Sequence, residues 1–195
     1  MNAGFILDAS ANVKGNYQKE KDFMKRLAAS FGISQNGTKA SVIAYSDIAE
    51  NNIKFKDHQD IQSFWDTTDK IPLLNSKSRI DKALKLADSD MFTLANGAKP
   101  AVTNLLIILT TGTQSTDADF EDPVAIAEQM VKSGVNVLVV GIGSNVNENR
   151  LRAMAGDDAK VFMVGSFDDL ADPALVKDIG QVACQTGKCF SKREK

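Results

Sequence analysis

The strongest constraint on this chain is the alternation of apolar runs of strand length with amphipathic helical segments. Thr103–Thr110 is the most hydrophobic segment and is typical of a central strand buried on both faces. In Tyr17–Phe31 the apolar residues Met24, Leu27 and Phe31 recur at i, i+3 and i+7, which marks one face of a helix. Strands that alternate with helices in this way predict an α/β fold with an open, doubly wound, mostly parallel sheet and helices on both faces.

The same patterns predict the other elements. Further strands are expected at Gly4–Ala9, Lys39–Tyr45, Val135–Ile142 and Val161–Val164, with Asn52–Lys56 as a short antiparallel edge strand. Further helices are expected over Asp60–Thr67, along a stripe from Ile80 to Met91, from Asp122-Pro123 to Ser133, over Glu148–Ala155, and from Asp172-Pro173 to about Cys184. Ligands of such folds bind beyond the carboxyl ends of the strands. The candidate site therefore lies in the loops after Asp8, Pro72, Thr110 and Gly141.

Length and charge limit the function. A chain of 195 residues predicts one domain, placed at residues 1–190 with a polar tail at 191–195. The 23 basic and 25 acidic residues leave a net charge of −2, which argues against a charge-driven nucleic-acid binder. One histidine and two cysteines exclude the common four-ligand zinc sites. No apolar stretch approaches the roughly 20 residues of a membrane span, and no signal peptide is visible before the first strand, which suggests a trimmed chain or a fragment.

No constellation of nucleophile, base and orienting group stands out, so the chain is not expected to be an enzyme. Asp8, at the end of the first strand, lies where some phosphatases place a nucleophile. They need a second aspartate two residues later, where this chain has Ser10. His58 has no accompanying Gly-x-Ser-x-Gly motif. A phosphotransferase or hydrolase using Asp8 stays the alternative from the enzyme class.

Several motifs in order resemble one known family. The first strand ends in Asp8-x-Ser10, and the second is formed within the segment Asn-Gly-Thr-Lys-Ala-Ser-Val-Ile-Ala-Tyr-Ser. The fourth strand ends in Leu-Thr-Thr-Gly, and the next one ends in Gly141-x-Gly143. Over residues 3–184 this order resembles a von Willebrand factor type A domain of the matrix kind found in collagen VI. The resemblance implies a secreted, non-enzymatic module of the extracellular matrix. It would bind a matrix protein such as collagen or neighbouring modules of its own protein; the alternative is a structural spacer.

The resemblance also implies a metal-ion-dependent adhesion site. Asp8 and Ser10 match the family pattern, Asn12 replaces its second serine, Ser78 replaces its threonine, and Thr111 replaces its second aspartate. Mg²⁺ and Ca²⁺ both take oxygen ligands. A carboxylate–cation contact at ~4 Å is worth about 4 kcal/mol per unit charge at an effective dielectric near 20. Loss of one of two carboxylates therefore predicts that Mg²⁺ or Ca²⁺ binds weakly or not at all, unless a partner carboxylate supplies the missing charge.

Three further features have more than one interpretation. Cys184 and Cys189 pair with each other or with cysteines elsewhere, or stay free; the extracellular reading favours a disulfide. The sequon Asn36-Gly37-Thr38 is a glycosylation site in a secreted chain, or a turn only. An acidic cluster either holds Ca²⁺, or faces mineral or a cationic matrix, or is only a helix-capping, solvated loop; its members are Asp117, Asp119, Glu121 and Asp122.

Overall fold

The computed structural model describes residues 1–58 and 60–186. Six strands form one sheet in the order β3-β2-β1-β4-β5-β6. All neighbouring strands run parallel except β2 and β3, which are antiparallel. The strands are β1 (Asn2–Asp8), β2 (Lys39–Tyr45), β3 (Ala49–Ile53), β4 (Asn104–Thr110), β5 (Val135–Ile142) and β6 (Val161–Val164). The predicted fold class is confirmed.

Six α-helices cover this sheet. They are α1 (Tyr17–Ser30), α2 (Ile61–Asp69), α3 (Ile80–Leu86), α4 (Pro123–Lys132), α5 (Glu148–Ala155) and α6 (Pro173–Thr186). A π-helical turn, Ala87–Met91, continues α3. Asp122 accepts a hydrogen bond from the N–H of Val124 and caps α4, as the Asp-Pro pair predicts. None of the helices within the described ranges is long and apolar enough to cross a membrane.

Alternating side chains of the sheet feed two hydrophobic cores. Phe5 and Leu7 of β1 belong to the core that α1, α2 and α6 cover, whereas Ile6 belongs to the core under α3, α4 and α5. The apolar stripe of α1 is buried against the first core, where Met24 and Leu27 are inaccessible to solvent. Burial of both sheet faces explains why the central strands are continuously apolar.

The edge strand β3 lies three residues earlier than predicted. The prediction of Asn52–Lys56 rests on the alternation of Ile53 and Phe55, which are both fully buried. In the structure the strand starts at Ala49, directly after a tight turn in which the N–H of Ser46 donates to the carbonyl of Ile48. The short turn fixes the register, and Phe55 packs from the loop that follows the strand.

The strand order places a crevice between β1 and β4. The chain moves outward from β1 to β2 and β3, then returns to the other side of β1 with β4, so this pair is the switch point of the sheet. The register between the two strands stops at Ile6 and Ile108, although the strands continue to Asp8 and Thr110. The carboxyl ends of β1 and β4 therefore separate just below the predicted site.

Candidate metal site at the carboxyl end of the sheet

Three loops meet above the ends of β1 and β4: loop 1 (residues 9–16), loop 2 (residues 70–79) and loop 3 (residues 111–122). The N–H of Ala11 donates to the carbonyl of Ser76 at 2.9 Å and joins loops 1 and 2. The N–H of Ser115 donates to the carbonyl of Ser78 at 2.8 Å and joins loops 2 and 3. These contacts bring together the segments that carry the predicted site residues.

Asp8 lies at the centre of this arrangement and is fully buried. Its Oδ1 accepts a hydrogen bond from the N–H of Ser10 at 2.9 Å, whereas Oδ2 has no hydrogen-bond partner among the described residues. Burial raises the pKa of Asp8, and the hydrogen bonds from Ser10 offset part of that rise. The Ser10 hydroxyl oxygen accepts from the N–H of Asn12 at 3.3 Å and caps a short 3₁₀ turn, which fixes the path of loop 1.

Three buried oxygens of the site have no hydrogen-bond partner within the part of the chain that the structure describes. They are Asp8 Oδ2, Ser78 Oγ and Thr111 Oγ1. An unsatisfied buried polar group costs about 1–3 kcal/mol, so a cluster of them needs an explanation. A hard divalent cation prefers oxygen ligands of these types. The carboxylate and hydroxyl groups of the site therefore fit such a cation.

Asn12 lies at the rim of the site. It is exposed, and its side-chain Nδ2 donates to the carbonyl of Thr113 at 3.3 Å, which joins loops 1 and 3. Beside it runs a groove whose lining residues carry no charge: Asn12, Thr111, Thr113, Ile142, Gly143, Ser144, Asn145, Gly165, Ser166 and Phe167. The site thus opens onto a polar, uncharged surface.

Gly112 allows loop 3 to pass closely over the loop after β5. Its φ is +78°, a conformation that favours glycine, and a Cβ there would lie 2.9 Å from Cα of Val146. This close approach positions Thr111 at the end of β4.

The acidic cluster of loop 3 is paired with basic side chains. Lys77 contacts Asp117 at 2.8 Å, Arg79 contacts Asp119 at 2.6 Å, Arg150 contacts Asp122 at 2.7 Å, and Lys85 pairs with Glu121. Within residues 1–58 and 60–186, no group of three or more His, Cys, Asp or Glu side chains is arranged to hold a metal ion. Helix capping and charge pairing account for this loop.

Arg79 is a structural residue that the sequence analysis missed. Its side chain is 1% exposed, and its guanidinium contacts both carboxylate oxygens of Asp81, at 2.9 and 2.7 Å. The same group donates to the carboxylate and the carbonyl of Asp119, at 2.6 and 3.1 Å. Arg79 thereby attaches loop 3 to the start of α3, directly after Ser78. A charged residue beside a predicted loop gives no signal of such burial.

The remaining predicted residues lie away from this site. Asn36 is exposed in the turn before β2, and the neighbouring Thr38 is buried and donates to the carbonyl of Phe31. Since β2 starts there, the turn lies at the amino ends of the parallel strands, which is the end of the sheet opposite the candidate site. Cys184 lies in α6, whereas Cys189 and the predicted tail, 191–195, lie outside the described residues. The disulfide and the glycosylation stay predictions.

Comparison with known proteins identifies the family. The model of the von Willebrand factor type A domain matches residues 3–175. The chain belongs to this family. The predicted resemblance to a von Willebrand factor type A (VWA) domain is therefore confirmed over residues 3–175 of this chain.

Relatives of this VWA domain include matrix proteins. The collagen alpha-1(XXI) chain of Xenopus laevis is 26% identical over 186 residues, which cover 95% of this chain and 19% of that protein. The collagen alpha-5(VI) chain of Mus musculus is 26% identical over 168 residues, which cover 85% of this chain and 6% of that protein. The chain thus spans a fifth or less of these much longer collagen chains.

A solved structure supports the fold. Proximal thread matrix protein 1 from the mussel byssus superimposes with a TM-score of 0.86 at 24% sequence identity. The match covers 94% of this chain and 48% of that one. The VWA domain described here therefore has the architecture of a solved matrix protein of the same fold.

Proposed function

We propose that this VWA domain is a secreted, non-enzymatic interaction module of the extracellular matrix. Its partner would be a matrix protein such as a collagen, bound through loops 1, 2 and 3 at the carboxyl end of the sheet. The collagen relatives support the matrix setting, although they are far longer than this chain. The observation that carries the proposal is the cluster of partnerless buried oxygens at the switch point of the sheet.

The residues that would hold a divalent cation are Asp8, Ser10, Ser78 and Thr111. Asp8 contributes the carboxylate, and the other three contribute neutral hydroxyl oxygens. When bound, Mg²⁺ or Ca²⁺ supplies a positive charge that attracts a carboxylate of the partner. Because Thr111 replaces an acidic residue of the family pattern, we propose weak cation binding in the free domain, strengthened when a partner carboxylate adds charge.

The rim would supply contacts that need no metal. The uncharged groove beside Thr111 offers the amides of Asn12 and Asn145 and the hydroxyls of Thr113, Ser144 and Ser166 as hydrogen-bonding groups. Interfaces of this kind rely on several polar contacts at their edge and on an anchor at their centre. In this proposal Asp8 with its cation is the anchor, and Asn12 belongs to the rim.

Binding to a panel of immobilised triple-helical collagens tests the proposal. The purified chain would be measured by surface plasmon resonance in millimolar Mg²⁺ and in excess chelator, beside the variants Asp8→Ala and Leu94→Ala. Leu94 is 72% exposed and lies in the turn before β4, at the end of the sheet opposite the proposed site, so it is the surface control. We expect saturable binding that weakens at least tenfold in Asp8→Ala and stays unchanged in Leu94→Ala.

Two results would contradict the proposal. Equal binding by wild type and Asp8→Ala, with loss in Leu94→Ala, would place the interface at the other end of the domain. Absence of binding to every collagen by a folded wild-type domain would favour the structural spacer instead. Thr111 in place of a second carboxylate is the sequence feature that favours that alternative.

The proposed glycosylation and disulfide, which belong to a secreted chain, have their own tests. Expression through the secretory pathway should yield a chain whose mass falls on treatment with an N-glycosidase, and Asn36→Gln should abolish that change. Exposure of Asn36 in its turn supports glycan attachment. A non-reducing mass measurement on the same sample checks the proposed Cys184–Cys189 disulfide.

A further inference from the structure

The chain contains two Asn-Gly pairs, Asn36-Gly37 and Asn96-Gly97, and the fold places them in different environments. Asn-Gly pairs are prone to deamidation, because glycine has no side chain that hinders attack of its backbone nitrogen on the asparagine amide. Asn36 is exposed, whereas Asn96 is only 3% exposed. The same reactive pair can therefore be compared in two settings of one molecule.

Both reacting groups of the second pair are held by main-chain partners. Nδ2 of Asn96 donates to the carbonyl of Asp90 at 2.7 Å. The N–H of Gly97 donates to the carbonyl of Leu94 at 3.0 Å, and this bond closes a 3₁₀ turn over Leu94–Asn96. Reaction at Asn96 therefore requires this turn to open first.

The first pair lacks such main-chain partners. The side chain of Asn36 makes no hydrogen bond with any residue that the structure describes. It lines an open cavity of about 280 Å³ together with Gly32, Ser34 and Gly37. Gly37 is buried, and its N–H donates to Oγ of the exposed Ser34 at 2.9 Å. Rotation of one serine side chain releases that nitrogen, so the pair can react without opening of the fold.

The turn before β2 requires the glycine that makes Asn36 reactive. A Cβ at position 37 would lie 2.4 Å from Oγ of Ser34 and 2.7 Å from the carbonyl oxygen of Gly32. The second of these is a backbone atom, so a side chain at position 37 would force the turn to shift. The fold therefore retains the Asn-Gly pair at an exposed position.

We propose that Asn36 is a site of spontaneous deamidation in the folded chain. The backbone nitrogen of Gly37 loses its proton and bonds to Cγ of Asn36, the Cγ–Nδ2 bond breaks, and ammonia leaves. Water then opens the resulting succinimide at either of its two carbonyls. The products carry aspartate or isoaspartate at position 36, and each adds one negative charge to the turn.

This reaction and the predicted glycosylation exclude each other, since both use Nδ2 of Asn36. A glycan on that nitrogen prevents the loss of ammonia, and an aspartate at position 36 removes the sequon. The hydroxyl of Thr38, the third residue of the sequon, is buried and donates to the carbonyl of Phe31 at 2.8 Å. The turn lies at the end of the sheet opposite the candidate site, so the inference does not depend on cation binding there.

Ageing of the unglycosylated chain tests the proposal. Wild type and Asn36→Gln would be incubated folded at pH 8 and at pH 5, and in denaturant at pH 8. Peptide mapping that separates aspartate from isoaspartate then measures conversion at Asn36 and Asn96. In the folded chain at pH 8 we expect Asn36 to convert at least about tenfold faster than Asn96, because Asn96 reacts only from an opened turn.

The other conditions separate the effect of the fold from that of the sequence. In denaturant the two pairs should react within about twofold of each other, since neither turn is then formed. At pH 5 the conversion at Asn36 should be slower, because the nitrogen of Gly37 keeps its proton. Asn36→Gln should lose the folded-state product, and a chain glycosylated at Asn36 should not form it.

Several results would overturn the proposal. If Asn36 stays intact in the folded chain but converts in denaturant, the turn protects it. Equal conversion of both pairs in the folded chain would show that the fold does not select Asn36. Conversion that yields no isoaspartate, or that is as fast at pH 5 as at pH 8, would contradict the succinimide route.

Discussion

Two polar clusters lie at the same end of the sheet and are built in opposite ways. In the Arg79 cluster, formed by Arg79, Asp81 and Asp119, the buried guanidinium has carboxylate partners at 2.6–2.9 Å. In the Asp8 cluster, formed by Asp8, Ser78 and Thr111, three buried oxygens have no partner in the described structure. Ser78 and Arg79 are neighbours in the chain, so one loop serves both clusters.

The contrast separates holding a loop from binding a ligand. A buried ion pair with satisfied hydrogen bonds fixes geometry, and removal of one partner leaves a buried charge uncompensated. A cluster of unsatisfied oxygens gains from whatever completes it. We therefore propose that the Arg79 cluster supports loop 3 and that the Asp8 cluster is the binding site.

The largest expected effect comes from breaking the paired cluster. Arg79→Ala should lower the free energy of unfolding by about 3–5 kcal/mol, because Asp81 is left buried without its cation. Urea denaturation of both proteins measures the difference. A loss below about 1 kcal/mol would show that the pair does not hold loop 3.

Completing the unpaired cluster should have the next largest effect. Thr111→Asp adds a second carboxylate beside Asp8, and we expect Mn²⁺ to bind at least tenfold more tightly, about 1.4 kcal/mol. Thr111→Asn has a similar shape without the charge and is the matched control. Equal affinities for the two variants would contradict an electrostatic origin of the weak binding.

Glu20 of α1 is fully buried, and neither of its carboxylate oxygens has a hydrogen-bond partner within the described residues. Burial raises the pKa of this carboxyl group well above its usual range. The stability of the metal-free domain should therefore depend on pH through Glu20. A carboxyl group whose pKa is higher in the folded state holds its proton more tightly there. Its contribution to stability therefore falls as pH rises above the ordinary value of 4.5. Glu20→Gln removes this effect, so the stability of this variant relative to wild type should be greater at pH 7 than at pH 4.5. Chemical denaturation in chelator at the two pH values measures this; the same difference at both would refute it.

The smallest expected effect concerns the exposed edge of the Arg79 cluster. Lys77→Ala removes a contact with Asp117 in which the side chains are 58% and 38% exposed. Such pairs contribute about 1 kcal/mol or less, so thermal unfolding should change little. A loss as large as that of Arg79→Ala would show that loop 3 depends on its surface charges.

The sequence predicts the sheet well because both faces of its central strands are buried. The predicted bounds Lys39–Tyr45, Val135–Ile142 and Val161–Val164 agree with the structure. The predicted position of β3 was wrong. A tight turn at Ser46–Ile48 sets the register of this strand, and the apolar alternation continues beyond its end. Periodicity reports burial, and buried side chains also occur in loops.

The candidate site was only partly predictable. Asp8, Ser10, Ser78 and Thr111 come from the family resemblance, and the structure brings their segments to one place. The burial of Glu20 was missed, although a signal existed: it lies three residues after Tyr17 and four before Met24, so an acid interrupts an apolar stripe. Its burial depends on how α1 packs against the sheet, and the sequence does not encode that packing locally.

Thermal unfolding of the wild-type domain and of Asp8→Ala, in millimolar Mn²⁺ and in excess chelator, tests the central claim most directly. A cation at 100 times its dissociation constant stabilises the folded state by about 2.7 kcal/mol, a rise of several degrees in the midpoint. We predict that Mn²⁺ raises the unfolding midpoint of the wild type, by less where Mn²⁺ does not saturate the site, and leaves the midpoint of Asp8→Ala unchanged. An equal rise in both proteins, or none in the wild type, would contradict the assignment of the Asp8 cluster as a cation site.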